Sequence, residues 1–354
     1  MGTIKRNFGN NITSGKFDAT DLTGTIPASN VANASLTSVT ALPGISGDFI
    51  QTVASDPPAP SFGDIWYNST EQKVKLIGLT TASWATGGNL PLINYGLASA
   101  GTATAGLAFG GTTPTAPAYT ATTNEYDGTS WTSGGSMALS RTERGGTGLQ
   151  TAALAAAGEA PQTNATEEYN GSTWTTGGNM AAPNYSIRGF GTQTAAVMAS
   201  NLSVEEYDGS SWTTVNPLSA ARNTTFSGGV ASPQTAGWVA GGIPSSSATE
   251  EYDGTNWTAG GNLNTGRQAG GGAGSLTTAI AMTGIYPGVG STLTELYDGT
   301  SWSSTATTST AREDAKGAGT SASAFIAGGR NPTVLSATEE YTGAAPITRS
   351  IQGS

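Results

Sequence analysis

The 354-residue sequence contains no cysteine and no histidine. Without cysteine there are no disulfides and no thiolate metal sites. Without histidine the usual neutral-pH acid/base groups, triad partners and imidazole ligands are gone, so any catalysis would fall to carboxylate, Tyr, Lys or Arg. Charge is scarce too: Asp, Glu, Lys and Arg make up 11% of the chain, against about 25% in an average domain. The net charge is −10 and no basic stripe is visible, which argues against nucleic acid as a partner. The longest apolar run, "TAALAAAG", is too short to span a bilayer, and "MGTIKRNFGN" lacks the apolar stretch of a secretory signal. The expectation is a soluble chain with no membrane insertion, not exported by that route.

What the chain has in excess is glycine, 51 residues, about twice the usual ~7%. With abundant Thr, Ser and Asn this is a composition of short strands and tight turns. The order of features repeats. Trp84, Trp131, Trp174, Trp212, Trp257 and Trp302 are spaced by 47, 43, 38, 45 and 45 residues. Five follow a tyrosine five positions earlier: Tyr126, Tyr169, Tyr207, Tyr252 and Tyr297. Tyr341 stands 44 residues further on without a Trp after it, and Trp84 stands at the front without its Tyr. Between successive Trp residues come a polar turn ("TTGGNM"), a glycine-studded segment ("RGFGT"), an apolar run often closed by Gly-Gly ("WVAGG"), then "ATEEYDG". Four short extended segments per unit, separated by turn residues and lacking helical periodicity, predict four-stranded antiparallel sheets.

An apolar run ending in Gly-Gly, then Tyr, then Trp, resembles the kelch repeat of β-propellers over roughly residues 72 to 345. The resemblance implies a glycine-rich inner strand, an apolar second strand, a Tyr-bearing third strand and a Trp-bearing outer strand. The expected fold is therefore all-β: a six-bladed kelch-like propeller whose split sixth blade is closed by "SWATGG" pairing beside "TEEYTG". In that fold the recurring Tyr and Trp fill the wedges between blades. Residues 1 to 60 lack the repeat and are too poor in apolar residues for a core of their own. They read as an extended arm with a Pro-rich linker, followed by a connecting hairpin over 61–71 ("DIWYN" and "KVKLI" joined by "STEQ"), the propeller over 72–345 and a tail over 346–354. The "L-T-G-T-I-P-A" and "P-x-x-G-D-I-W-Y-N" stretches resemble segments of bacteriophage tail-fibre and related virion proteins. That likeness implies a virion protein assembled in the host cytoplasm, on tail or capsid surface, with residues 1–60 docking on other virion proteins and a trimer among the expected states.

Motifs that suggest chemistry have structural counterparts in the repeat. "GGGAGS" matches no nucleotide-binding pattern and recurs in other units. The pairs Glu167/Glu168, Glu205/Glu206, Glu250/Glu251 and Glu339/Glu340 recur in every third strand, which fits a solvated strand face better than a catalytic pair. Asp127, Asp208, Asp253 and Asp298 precede Gly in turns, where they cap backbone amides. Ten residues after each Trp lie Asn94, Arg141, Asn184, Arg222, Arg267 and Arg312. Six-fold placement puts them in a ring near one channel mouth, the best candidate for a ligand or partner site, able to hold anionic sugars or acidic side chains; packing is the competing role. No catalytic, metal or cofactor site is expected. The leading functional expectation is a tail-fibre or tail-tip adhesin contacting a host-surface glycan or protein, or another virion subunit. The alternatives are a capsid, neck or baseplate decoration protein and a carboxylate-based glycan depolymerase.

Overall fold

The computed structural model describes residues 51–61, 63–115, 118–286 and 288–351, and all of its regular elements there are strands. The chain divides into two compact units, Ala82–Gly343 and the residues flanking it on both sides. The described residues hold seven four-stranded sheets where the repeat predicts six.

Six of these sheets make up Ala82–Gly343. The first is Ala98–Thr102, Ala105–Phe109, Thr123–Tyr126 and Trp131–Ser133. The second is Gly145–Leu149, Ala152–Ala156, Thr166–Tyr169 and Trp174–Thr176, and the third Arg188–Thr192, Ala195–Ser200, Ser203–Tyr207 and Trp212–Thr214. Then come Phe226–Ser227, Gly237–Ala240, Thr249–Tyr252 and Trp257–Ala259, and Gly271–Ser275, Thr278–Met282, Thr294–Tyr297 and Trp302–Ser304. The sixth takes Lys316–Gly319, Ser323–Ala327 and Thr338–Thr342 from the end of the repeat and Ser83–Thr86 from its start, with Tyr341 opposite Trp84. That last pairing has the register of the other five hairpins, where Tyr126 faces Trp131 and Tyr297 faces Trp302.

Each sheet is too thin to bury anything alone, so the core lies between neighbouring sheets. Six clusters of buried apolar side chains fill these gaps, and one joins the first sheet (Leu97, Ala108, Tyr126, Trp131) to the sixth (Phe325, Ala327). Glycine is required where a neighbour's phenylalanine enters a sheet. A Cβ on Gly106 would sit 2.4 Å from the Phe325 ring, and one on Gly237 2.0 Å from Phe190, so no side chain fits at either position.

Hydrogen bonds also cross every gap. The tyrosine of one sheet donates to the second glutamate of the sheet before it: Tyr169 to Glu125 (2.5 Å), Tyr207 to Glu168 (2.5 Å), Tyr252 to Glu206 (2.9 Å), Tyr297 to Glu251 (2.5 Å), and Tyr126 to Glu340. In the fifth sheet Leu296 replaces that glutamate, and Tyr341 meets the Thr305 hydroxyl at 3.0 Å instead. Burial first, then the carboxylate partner, pushes the Tyr169 and Tyr207 hydroxyls up to about 12. In the turns between third and fourth strands Asp127 Oδ1 accepts from the amides of Thr129 and Ser130, both at 2.7 Å. Asp208, Asp253 and Asp298 do the same, and the Ser130 and Thr129 contacts hold Asp127 well below the usual carboxylate range.

The seventh sheet corrects the expected boundaries. Ile65–Asn68 and Lys73–Leu79 form the predicted hairpin, but it runs to Leu79, past the end expected at residue 71. The expected tail supplies Pro346–Ile351, which pairs with residues 74–79, and Gln51–Val53 from the expected linker adds a parallel strand on the free edge of Ile65–Asn68. The seven-residue strand has backbone groups to satisfy on both edges; Ile65–Asn68 takes one and Pro346–Ile351 the other. The motif "GDIWYN" acts here through Trp66 and Asn68: with Lys75 they donate to Asp56 at 3.0, 2.8 and 2.7 Å. The Lys75 contact, followed by those of Asn68 and Trp66, holds Asp56 down to about 2. The expected arm over residues 1–50 lies outside the described residues.

If the tyrosine–carboxylate bonds hold neighbouring sheets together, removing one hydroxyl leaves a half-buried carboxylate without its donor. Tyr126→Phe should then lower unfolding free energy by about 1–3 kcal/mol, and Tyr341→Phe, whose partner is a neutral hydroxyl, by distinctly less. Urea unfolding of the two variants measures the order.

Candidate functional site

The predicted ring turns inward. Arg141, Arg222, Arg267 and Arg312 are buried, none more than 4% exposed. Each pairs with the first glutamate of the third strand in its own sheet: Arg141 with Glu167 at 2.9 Å, Arg222 with Glu250 and Arg312 with Glu339 at 2.5 Å, and Arg267 with Glu295. Other guanidinium hydrogens go to backbone carbonyls, as from Arg141 Nη1 to Ala157 and Ala165, both at 2.8 Å, while Nε of Arg141, Arg222 and Arg312 has no acceptor among the described residues. The other carboxylate oxygen accepts a backbone amide, from Ala138, Ser219, Asn264 or Ser309. These arginines are therefore not free for a ligand. Burial pulls all four below the ordinary guanidinium range, and the partner glutamates oppose it.

The solvated face assigned to the glutamate pairs is thus corrected for their first members. Glu167, Glu205, Glu250 and Glu339 are 2–3% exposed. The asparagines follow the same logic. Asn94 shares its sheet with Asn124 instead of a glutamate and donates to Gly110 O at 2.6 Å. Asn184, in the arginine position, leaves Glu205 with no cation among the described residues; Glu205 accepts the Ala181 amide at 2.9 Å, and burial raises it. The cue was present in the sequence as the joint occurrence of Arg ten residues after a Trp and Glu in the following "TEE" or "TEL".

The polar groups at the axis come from positions that sequence reasoning passed over. Twelve residues after each Trp stand Gly96, Glu143, Ser186, Thr224, Ala269 and Asp314, and all six have φ between +51° and +61°. In this left-handed conformation each amide donates to the carbonyl of its counterpart in the preceding sheet: Glu143 to Gly96 (3.0 Å), Ser186 to Glu143 (2.7 Å), Thr224 to Ser186 (3.2 Å), Ala269 to Thr224 (2.9 Å) and Asp314 to Ala269 (2.7 Å). Gly96 donates to Asp314 (3.0 Å), so the chain of bonds returns to its start. Five of the six are not glycine, and this ring of backbone bonds is what repays the strained φ.

Beside that ring lies a cavity of about 40 Å³ lined by the innermost strands, with Arg188 and Lys316 among its walls and Ser99, Thr225 and Ser227 as hydroxyls. Arg188 is 6% and Lys316 5% exposed. Burial, with Arg188 nearby, pulls the Lys316 ammonium down to about 8. Burial would raise Glu143, but Lys316 and Arg188 outweigh it and hold it low, whereas burial and the neighbouring Glu143 raise Asp314. Asp314 is bound on its outer side by Arg330, at 2.9 Å.

The ring lies at the end of the sheets where the chain crosses from one sheet to the next. Strand 2–3 loops share that end in an antiparallel sheet. Large exposed apolar side chains gather there: Leu92, Ile93, Tyr119, Leu139, Tyr185, Leu202, Ile243, Tyr286 and Val289. The opposite end of this unit shows only Leu149 among the described residues.

These features define an all-β, propeller-like protein. No family model matches the sequence, and no curated protein is similar to it. Among solved structures the chain is similar to that of YjhT, with a TM-score of 0.60 and 12% sequence identity, over 73% of this chain and 99% of that one. At that identity the likeness extends to the fold alone.

Two substitutions check the reassignment. Arg222→Gln should destabilise the protein by about 3–5 kcal/mol, because it strands Glu250 as a buried charge; a packing-neutral or ligand-facing arginine would cost far less. Glu205→Gln should stabilise it near neutral pH, since the folded state raises the Glu205 pKa above its unfolded value. Wild type keeps that group's full contribution only below the unfolded pKa and loses it as pH rises through the folded one. The gap in melting temperature between E205Q and wild type should therefore open from acid toward neutral pH.

Proposed function

We propose that Ala82–Gly343 is a kelch-like propeller of six blades, its ring completed by Ser83–Thr86 pairing with Thr338–Thr342, and that it works as a binding module and not as an enzyme. The carrying observation is the one-sided distribution of large exposed apolar side chains, nine at the end bearing the crossover loops against one at the other. Patches of this kind mark interaction surfaces. Tyr119, Tyr185 and Tyr286 present a ring and a hydroxyl together, which suits a surface that must bind both apolar and polar groups. The setting we propose is a bacteriophage virion, with the propeller as a tail-fibre or tail-tip adhesin facing the host surface or another virion protein, and residues 1–60 joined to the particle. Support for the setting is the resemblance of the N-terminal stretches to fibre segments. A decoration subunit would turn the same end toward a virion partner.

One observation favours the depolymerase reading in second place. Glu143 and Asp314 stand near the axis with their proton affinities pushed in opposite directions, the relation expected of an acid and a base. In that case the purified protein shortens host polysaccharide, and Asp314→Asn stops it.

The adhesin reading expects the triple variant Tyr119→Ser, Tyr185→Ser, Tyr286→Ser to fold with an unchanged melting temperature, enter particles at normal copy number, and lose at least tenfold in host-cell adsorption. Normal adsorption by particles carrying the variant would remove the proposed role of this end. Failure to enter particles would instead favour the decoration role.

A further inference from the structure

The cavity at the axis is lined by three buried cations, Arg144, Arg188 and Lys316, with hydrogen-bonding capacity unspent; Arg188 and Lys316 stand on opposite sides of it. Among the described residues, Arg188 donates only from Nη1, to the carbonyl of Ile187 at 2.8 Å. Its Nε and Nη2 have no acceptor, and the nearest carboxylate oxygen to Nη2, Glu143 Oε2, is 3.7 Å away. Lys316 Nζ has one partner, the carbonyl of Ala315 at 3.2 Å, out of three hydrogens to place. No carboxylate lies within 4.0 Å of Lys316 among the described residues, and Asp314 is engaged by Arg330.

A buried cation so weakly paired, with a single carboxylate at 3.7 Å from Arg188 and none within 4.0 Å of Lys316 among the described residues, is costly. It must give up its proton, admit water or take up a counter-ion. The guanidinium cannot deprotonate, so the first course is closed to Arg188. Glycine is the commonest residue of the walls, as at Gly146, Gly189, Gly270, Gly272, Gly317 and Gly319. They leave the axial edges of the innermost strands bare, and an edge strand offers amide hydrogens. The space, about 40 Å³, corresponds to roughly three waters at 10–15 Å³ each. That admits a halide or a small oxyanion and excludes a sugar ring or a peptide side chain with its backbone.

We infer that the axial cavity is a binding site for a small inorganic anion, between chloride and sulfate in size, held by Arg188 and Lys316. The anion supplies the acceptors that Arg188 Nε and Nη2 lack and neutralises Lys316, joining the third and sixth sheets across the axis. This inference is independent of the adhesive role of the loops. It also has a pH consequence. The charged groups around Lys316 are Arg188, Glu143 and Asp314, with Glu313 and Arg330 behind them. Burial pulls the Lys316 ammonium down to about 8, so anion binding weakens as pH rises through that value.

The test is thermal unfolding of the full chain at pH 7 in chloride or sulfate, with sodium gluconate at matched ionic strength as the anion too large to enter. The expected result is a saturable rise of a few degrees in chloride or sulfate over gluconate, shrinking by pH 9 and absent in both Lys316→Met and Arg188→Met. The inference is overturned if wild type shows no such rise, or if both variants keep it. Should the variants not fold, crystals of wild type soaked in bromide decide: an anomalous peak within ~3.5 Å of Arg188 Nη2 upholds the site, and an empty cavity refutes it.

Discussion

The sheets of Ala82–Gly343 cannot stand alone, and at five of the six gaps between them the joining contact is the tyrosine hydroxyl reaching a carboxylate in the sheet before it. Its geometry sets much else. To reach that glutamate, the tyrosine ring must lie in the gap, where it packs against the tryptophan of its own hairpin at 4.7–5.0 Å between centroids in five units. That tryptophan in turn sends its indole N–H back across the gap, from Trp131 to Thr338 and from Trp174 to Thr123. Each aromatic pair thus buries apolar area and satisfies its polar atoms in one movement, as a buried Tyr or Trp must.

The scarcity of charge has a structural meaning. Of few basic residues, Arg141, Arg144, Arg188, Arg222, Arg267, Arg312, Lys75 and Lys316 are all buried, so the exposed surface is poorer in cations than the composition suggests. Four are matched by glutamates within their own sheets and fix how the incoming loop meets the third strand. Replacing such a pair with apolar residues need not weaken a fold, but breaking one does, which makes each pair a fixed point of its repeat. Arg144 is different: its Nη1 donates to the Phe109 carbonyl at 2.9 Å, its Nε and Nη2 have no acceptor, and no carboxylate lies within 4.0 Å of it among the described residues.

The axial end of the molecule joins two kinds of surface. Around the outside are loops with exposed tyrosines and aliphatic side chains, built from segments of variable length. At the centre is a rigid cycle of backbone hydrogen bonds carrying whichever side chain the sequence provides at that position. Loops of this sort can change without disturbing the sheets, because the strands are tied together by the tyrosines, tryptophans and arginines beneath them.

The repeat was legible in the sequence because its causes are local: an aromatic pair five residues apart, a glycine-rich strand and an Asp-Gly turn each require particular residue types. The partnership of Trp84 with Tyr341 was legible as well, since a period broken at both ends can be completed only by joining them. What the sequence could not convey was direction. Arg222 and Lys316 are both cations near the start of an innermost strand, yet one faces a glutamate within its sheet and the other faces the axis; four residues of offset on a turning chain decide which. The left-handed ring residues were hidden for a different reason. Gly96, Glu143, Ser186, Thr224, Ala269 and Asp314 share a backbone conformation imposed by their neighbours in other sheets, not by their own chemistry. The seventh sheet was hidden because its outer strands come from segments far apart in sequence and owe their pairing to the two free edges of the hairpin over residues 65–79. Local propensity thus determined the strands, the turns and the period. Burial, the sign of neighbouring charges and the direction of each side chain arose only where distant segments met, because those quantities belong to pairs of segments.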